Sequence, residues 1–131
     1  MASQIPIEMI LLRQVASYLT IPILMMDEGG SLLFYNEPAE HLLGVSFDDA
    51  GPIAADQLGG LFDATDPEGN PLHDAEIPVV AAFQMRRPFH RKLRFRGLDG
   101  AWHEVEATAF PVEGHGKRFA GVFATFWEAS S

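Results

Sequence analysis

The chain has 131 residues, 47% of them hydrophobic, a formal net charge of −9 and no cysteine. That is the size of one domain with a single unstapled core, and it is too apolar to stay unfolded. The missing cysteine excludes disulfides, thiolate metal sites, thioether-attached haem and a cysteine nucleophile, while the acidic balance disfavours nucleic acid, whose phosphates need concentrated cations.

Ile5 to Leu19 reads as a helix. At ~100° per residue its apolar positions, among them Ile7, Met9, Leu11, Val15 and Tyr18, spread over an arc of roughly 200°. A helix resting on one core needs a narrower stripe. The surplus predicts two contact surfaces, one on the chain's own sheet and one on a second subunit, so a homodimer through this helix is expected.

Ile21 to Met26 has the length of a strand, Glu28-Gly29-Gly30 can take the positive φ angles of a tight hairpin, and Ser31 to Tyr35 is the return strand. Asn36 has a short side chain able to bond free N–H groups. Pro38 is tolerated in a first helical turn, and Gly44 stops that helix. Gly51-Pro52 and Gly59-Gly60 break the next stretch into short helical turns, Ser46 to Ala50 and Ile53 to Leu58. Asp66 to Pro71 is a loop by composition. Asp74 can then cap a helix running to about Arg86, with Pro78 early in it.

Six of the nine Lys and Arg residues (Arg86, Arg87, Arg91, Lys92, Arg94, Arg96) fall in one stretch. Pro88 to Arg96 and Ala101 to Val112 read as two strands joined across Leu98-Asp99-Gly100. A three-residue loop with Gly100 left-handed sets Leu93 against Val105, Phe95 against His103 and Phe89 against Ala109. On the other face it sets Arg94 against Glu104, Lys92 against Glu106 and Arg96 against Trp102. A two-residue loop mixes apolar and charged partners, so the first register is expected. The basic cluster is then mostly a solvated strand face, placed on a sheet edge where such charges deter aggregation. Phe119 to Trp127 is a final strand with Phe119, Phe123 and Trp127 on one face and Val122, Ala124 and Phe126 on the other, which places it in mid-sheet with both sides covered.

The order Asp27-x-x-Gly30, strand, Asn36, then Ala39, Leu42 and Gly44 resembles the start of a PAS domain. Asp66-x-x-Gly69-x-Pro71-Leu72 followed by Glu76-x-Pro78 is similar to the loop and helix start of a bacterial PAS subgroup. Leu98-Asp99-Gly100-x-Trp102 is similar to the family's D-G-x-x-W hairpin, with Trp one residue early, and Gly121 to Phe126 resembles its last strand. The resemblance covers about residues 18–130. It implies an α+β fold: a five-stranded antiparallel sheet with short helices on one face and an N-terminal amphipathic helix, in one domain over 1–131 with the helix at 1–19 and the PAS core at 20–128. It implies a sensory, signal-transduction module that regulates an effector partner. Effector-linked PAS domains often end in Asp-Ile-Thr; Glu128-Ala129-Ser130 stands there, leaving a stand-alone protein and an excised sensor as alternatives.

In the PAS arrangement a cavity can lie between helices and sheet. Small inward residues Val105, Ala107 and Ala109 leave either close packing or a void, and large aromatics could line or fill it. The expected lining is Phe34, Phe83, Phe89, Arg91, Phe95, His103, Val105, Ala107 and Phe123, with Arg91 placed to meet a carboxylate. Flavin photosensors of the LOV type and the coumaric-acid photoreceptors need a cysteine that this chain lacks. Cofactor identity stays open, haem and flavin included, though nothing in the sequence indicates either; in haem-binding PAS domains the axial histidine comes from the helix before the third strand, which the resemblance matches to His73. No histidine pair stands at metal-ligand spacing, and no hydrolase, P-loop or zincin motif occurs, so neither metal site nor catalytic residue is expected. No apolar run approaches the ~20 residues of a membrane span, and no signal pattern opens the chain, so the expected location is cytoplasmic. Two rivals stand beside this reading: a solid-cored PAS module that only dimerises, and a small cone-shaped isomerase fold with a catalytic Asp or Tyr in a hydrophobic pocket.

Overall fold

A computed structural model describes residues 5–129. The first four residues of the expected 1–19 helix segment, and Ser130 of the Glu128-Ala129-Ser130 ending, lie outside the described residues. Five strands, β1 (Ile23–Asp27), β2 (Leu32–Tyr35), β3 (Phe89–Arg96), β4 (Trp102–Glu113) and β5 (Phe119–Glu128), make one antiparallel sheet in the order β2-β1-β5-β4-β3. The strand that is apolar on both faces, β5, takes the middle, because each of its faces has a layer to bury against. Four short helices, α2 (Glu37–Leu43), α3 (Phe47–Ala50), α4 (Leu58–Leu61) and α5 (Pro78–Met85), lie over one face, and α1 (Ile7–Ala16) covers part of the other. This is the expected α+β class. No helix among the described residues is long and apolar enough to cross a membrane.

The two faces carry separate cores. On the helical side Leu24, Met26, Leu93, Phe95, Val105 and Phe126 of the sheet pack against Leu42, Leu43, Leu58, Phe62, Ile77 and Val80. On the other side Met9 and Ala16 of α1 rest on Ile23, Met25, Val112, Ala120 and Phe123. Met9 reaches the sheet because position 121 has no side chain: a Cβ there would stand 2.6 Å from the Met9 methyl and 2.5 Å from the Met26 carbonyl oxygen, at a φ of 154°. The helix is shorter than the expected 5–19. Ile21 precedes Pro22, and a residue in that position is disfavoured from helical backbone. The chain therefore tightens after Ala16, with Tyr18 N–H bonding Val15 O at 3.0 Å and Leu19 N–H bonding Ala16 O at 3.2 Å.

Asn36 is buried, and its amide bonds in four directions. Its Oδ1 accepts from Ile23 N–H at 3.0 Å and from Ala39 N–H at 3.2 Å; its Nδ2 donates to Ala16 O at 3.0 Å and Ile21 O at 2.8 Å. One side chain thus caps α2, starts β1 and anchors the end of α1. Gly44 ends α2 in left-handed backbone, as read from the sequence. In the β1–β2 turn only Gly30 of the glycine pair takes positive φ, 87°, and it also has to be glycine because a Cβ would lie 2.8 Å from the Phe83 ring.

The β3–β4 register is the one expected, from Phe89 opposite Ala109 to Arg96 opposite Trp102, with Gly100 at φ 90°. The charges are arranged differently from expectation. Among the described residues Arg94 and Lys92 form no ion pair with Glu104 or Glu106; Arg94 and Arg96 sit over the Trp102 ring at 5.2 and 6.0 Å, and Arg96 pairs with Asp63 at 2.5 Å. β3 is an edge strand, as expected, and its open side is partly closed: Arg94 and Thr65 exchange two backbone bonds of 2.8 Å, and Arg96 N–H bonds Phe62 O at 2.7 Å. At the opposite edge Leu32 N–H bonds Ile53 O, and Ala55 N–H bonds Gly30 O, each at 2.8 Å.

Two further expectations are corrected. Asp74 does not cap the long helix; Asp74–Glu76 is a separate 3₁₀ turn, and α5 begins at Pro78 after an extended Ile77 (φ −85°, ψ 123°). Proline has no N–H to extend a helix backwards and forces its predecessor out of helical backbone. Phe119 does not share a face with Phe123. A bulge, with Val112 opposite Gly121 but Glu113 opposite Phe119, turns Phe119 to the helical side, where it meets Phe83.

Asn36→Asp keeps the acceptor and replaces both donated bonds by carboxylate facing two carbonyl oxygens. A urea titration should show a loss of about 2–4 kcal/mol with little change in m. Tyr35 is buried and its hydroxyl donates to Val45 O at 2.9 Å. Burial, then the nearby charges of Glu40 and Asp49, pushes its phenol up to about 12. The folded state therefore holds a proton that the unfolded chain releases, so this contribution is intact below the ordinary tyrosine value of about 10 and is lost as pH rises toward 12. Thermal melts over that window should fall more steeply for the native protein than for Tyr35→Phe.

Candidate functional site: an apolar cavity between helices and sheet

The candidate site is built by strands that present side chains upward and short helices that close over them. From the sheet come Leu24, Leu93, Phe95, Val105, Ala107, Ala124, Thr125 and Phe126; from the helical layer come Leu43, Leu58, Phe62, Ala64, Ile77, Pro78 and Val79. They line a partly open cavity of about 90 Å³. The void follows from mismatch of size: Ala107 and Ala124 on neighbouring strands, with Ala64 opposite, leave room that Phe62, Phe95 and Phe126 do not fill. Those three rings meet edge to face, at 6.2 Å and 82° for Phe62–Phe95 and 6.1 Å and 77° for Phe95–Phe126. The wall contains no Asp, Glu, Lys, Arg or His. An apolar cavity takes apolar guests.

Of the nine expected lining residues, Phe95, Val105 and Ala107 lie in the wall. Phe83 and Phe89 pack on the same core but away from the cavity, Phe83 against Phe119 and under the Arg86 guanidinium, Phe89 under that of Arg87. Phe34 and Phe123 are on the opposite face, beneath α1. Arg91 is on the helical face but outside the wall, paired with Glu76 at 3.6 Å. His103 is also outside the wall, with its ring stacked 5.5 Å from that of Phe95. His73 is exposed where the 3₁₀ turn begins, so it offers no axial ligand to the cavity, and the cavity is far below the ~300–1,000 Å³ of ordinary cofactor pockets. These residues do not fit haem.

The sequence reading missed Leu24, Leu43, Leu58, Phe62, Ile77 and Ala124 among others. Leu58, Phe62 and Ile77 come from segments cut by Gly and Pro into pieces too short to show a period, so nothing in the pattern marks their inward side. Ala124 and Phe126 were separable from Phe123 by strand alternation alone, but which set faced the helices was not, since both sets are apolar. Among the described residues no group of three or more His, Asp or Glu side chains could hold a metal ion.

No protein-family model matches the sequence, and no curated protein matches it. Solved structures do. The PAS domain of a protein from Colwellia psychrerythraea is 18% identical with a TM-score of 0.64, over 93% of this chain and 97% of that one. The PAS domain of the fruit-fly ELK potassium channel is 9% identical with a TM-score of 0.74, over 94% and 98%. The Rhodobacter sphaeroides LOV protein is 13% identical with a TM-score of 0.71, over 94% of this chain and 68% of that one.

Ala124→Val adds two methyl groups to the void on a central strand that suits a β-branched residue. Stability should rise by about 0.5–1 kcal/mol, and the xenon-induced shifts of cavity methyls in NMR spectra should shrink. By its strand order, by the helices over one face and by its similarity along nearly its whole length, the chain has the fold of a PAS domain.

Proposed function

We propose that this chain is a sensory module that takes a small apolar ligand into the cavity between helices and sheet, dimerises through α1, and so regulates a partner protein. The observation that carries the reading is the cavity itself: a void walled by apolar side chains from both layers. A solid core would have favoured the alternative, a module that only dimerises. The wall holds no carboxylate or tyrosine, so it gives no support to isomerase chemistry of the cone-fold kind.

Dimerisation rests on the two-sidedness of α1. Met9, Leu12 and Ala16 point into the sheet, while Ile7, Leu11 and Val15, spaced four residues apart, are 64%, 54% and 51% exposed. Large side chains exposed in a row along one helix face are the mark of a surface meant to be covered. A second copy presents the same row and so complements it. The location we infer is the cytoplasm.

Native mass spectrometry of the purified protein should give a dimer carrying non-covalent mass that disappears on denaturation. Leu11→Glu, at an exposed position, should give a folded monomer with an unchanged circular dichroism spectrum. A folded wild-type monomer at bare polypeptide mass that also takes up no xenon overturns the reading.

A further inference from the structure

His103 has a buried Nε2 with no hydrogen-bond partner, the one such side-chain atom among the described residues. An unpaired polar nitrogen away from water is costly, so its persistence needs a reason. Its surroundings are specific. His103 projects from the same face of β4 as Val105, which lines the cavity, and stands opposite Phe95 on β3. The imidazole and the Phe95 ring stack at 5.5 Å and 37°, and the imidazole side chain is 15% exposed. Phe95 therefore touches both: one part of its ring lines the cavity, and another covers the imidazole.

Nδ1 lies 3.9 Å from Glu128 Oε1, on an exposed side chain. In the tautomer that carries its proton on Nδ1, Nε2 is a bare acceptor. The complement of a buried acceptor is a donor.

We propose that the cavity ligand is a small, neutral, mostly apolar molecule with one O–H or N–H group, of phenol, indole or short-alcohol type, and that His103 Nε2 accepts its hydrogen bond. This rests on the reading of the cavity as a ligand site and adds the one polar contact that the wall lacks. A cavity of about 90 Å³ is smaller than the ~150 Å³ that holds benzene. The proposal includes a turn of the Phe95 ring away from the imidazole, which would enlarge the cavity toward His103 and bring Nε2 to the guest. His103 is then a specificity-determining residue: it sets which apolar molecules enter, because a donor group buried without a partner loses its water bonds for nothing.

The test compares phenol with toluene, which have similar shape and differ in the hydroxyl. Both are titrated into the full chain by calorimetry, with ¹⁵N NMR of the His103 imidazole, and into His103→Phe, which keeps an aromatic ring against Phe95. Phenol should bind the native protein about tenfold tighter than toluene and move the Nε2 resonance to that of a hydrogen-bonded nitrogen. In the variant the order should invert, toluene binding about tenfold tighter. The NMR reading on the native protein stands if the variant does not fold. If toluene binds the native protein as well as phenol does, with Nε2 unmoved, the proposal is overturned and the cavity reading survives. If neither binds but xenon is taken up, the proposal is overturned and the cavity reading survives; if xenon is refused as well, both fall.

Discussion

One amide holds the two sides of this molecule together. Asn36 lies where α1 ends, β1 begins and α2 starts, and no other type of side chain of its size offers two donors and an acceptor with two lone pairs. Because the site is buried, each of its four bonds is stronger than in water, and each would be costly to leave open. The consequence is positional. The carbonyl of Ala16 on the outer helix and the N–H of Ala39 on an inner helix are bonded to the same planar group, so a shift of either helix along its axis strains a bond to the other. α2 also ends in Leu43, which lines the cavity.

The two cores are made in different ways. Under α1 the fit depends on the absence of a side chain at Gly121, into whose place the Met9 thioether drops. At that position no larger residue fits without displacing Met9 or the β1 backbone. Over the other face several short helices replace one long one, and each brings only one or two large side chains. Pieces of that length are set by the loops between them as much as by packing, and the small residues beneath them leave the void.

Much of the fold was legible in the residues because it depends on local chemistry. Asn36, Pro38 and Gly44 bound α2 by their own side chains or lack of them, and the β3–β4 register follows from sorting charged partners from apolar ones. What was not legible depends on three-dimensional context. The bulge near Gly121 reverses the face of Phe119, and no alternation rule announces it. The start of α5 was misplaced because Asp74 looks like a cap, while Pro78 decides the matter four residues later. Phe34 and Phe123 were placed on the wrong side of the sheet because β1, β2 and β5 are apolar on both faces, so strand periodicity identifies two sets without saying which layer each meets. His103 was placed facing Phe95 by register, but the isolation of its Nε2 is a property of the packed structure and of nothing in the sequence.

The backbone bonds at the sheet margins bear on how the protein behaves when crowded. Segments of the helical layer, Ile53–Ala55 beside β2 and Phe62–Thr65 beside β3, use ladder groups that would otherwise template a strand from another molecule. A polymer built by adding strands edge to edge finds both ends of this sheet partly stoppered. Growth of that kind has no natural end, whereas pairing through a helix is finite. The sheet is closed to the first, and the apolar row along α1 is open to the second, so concentrating the protein should yield discrete particles in place of fibres.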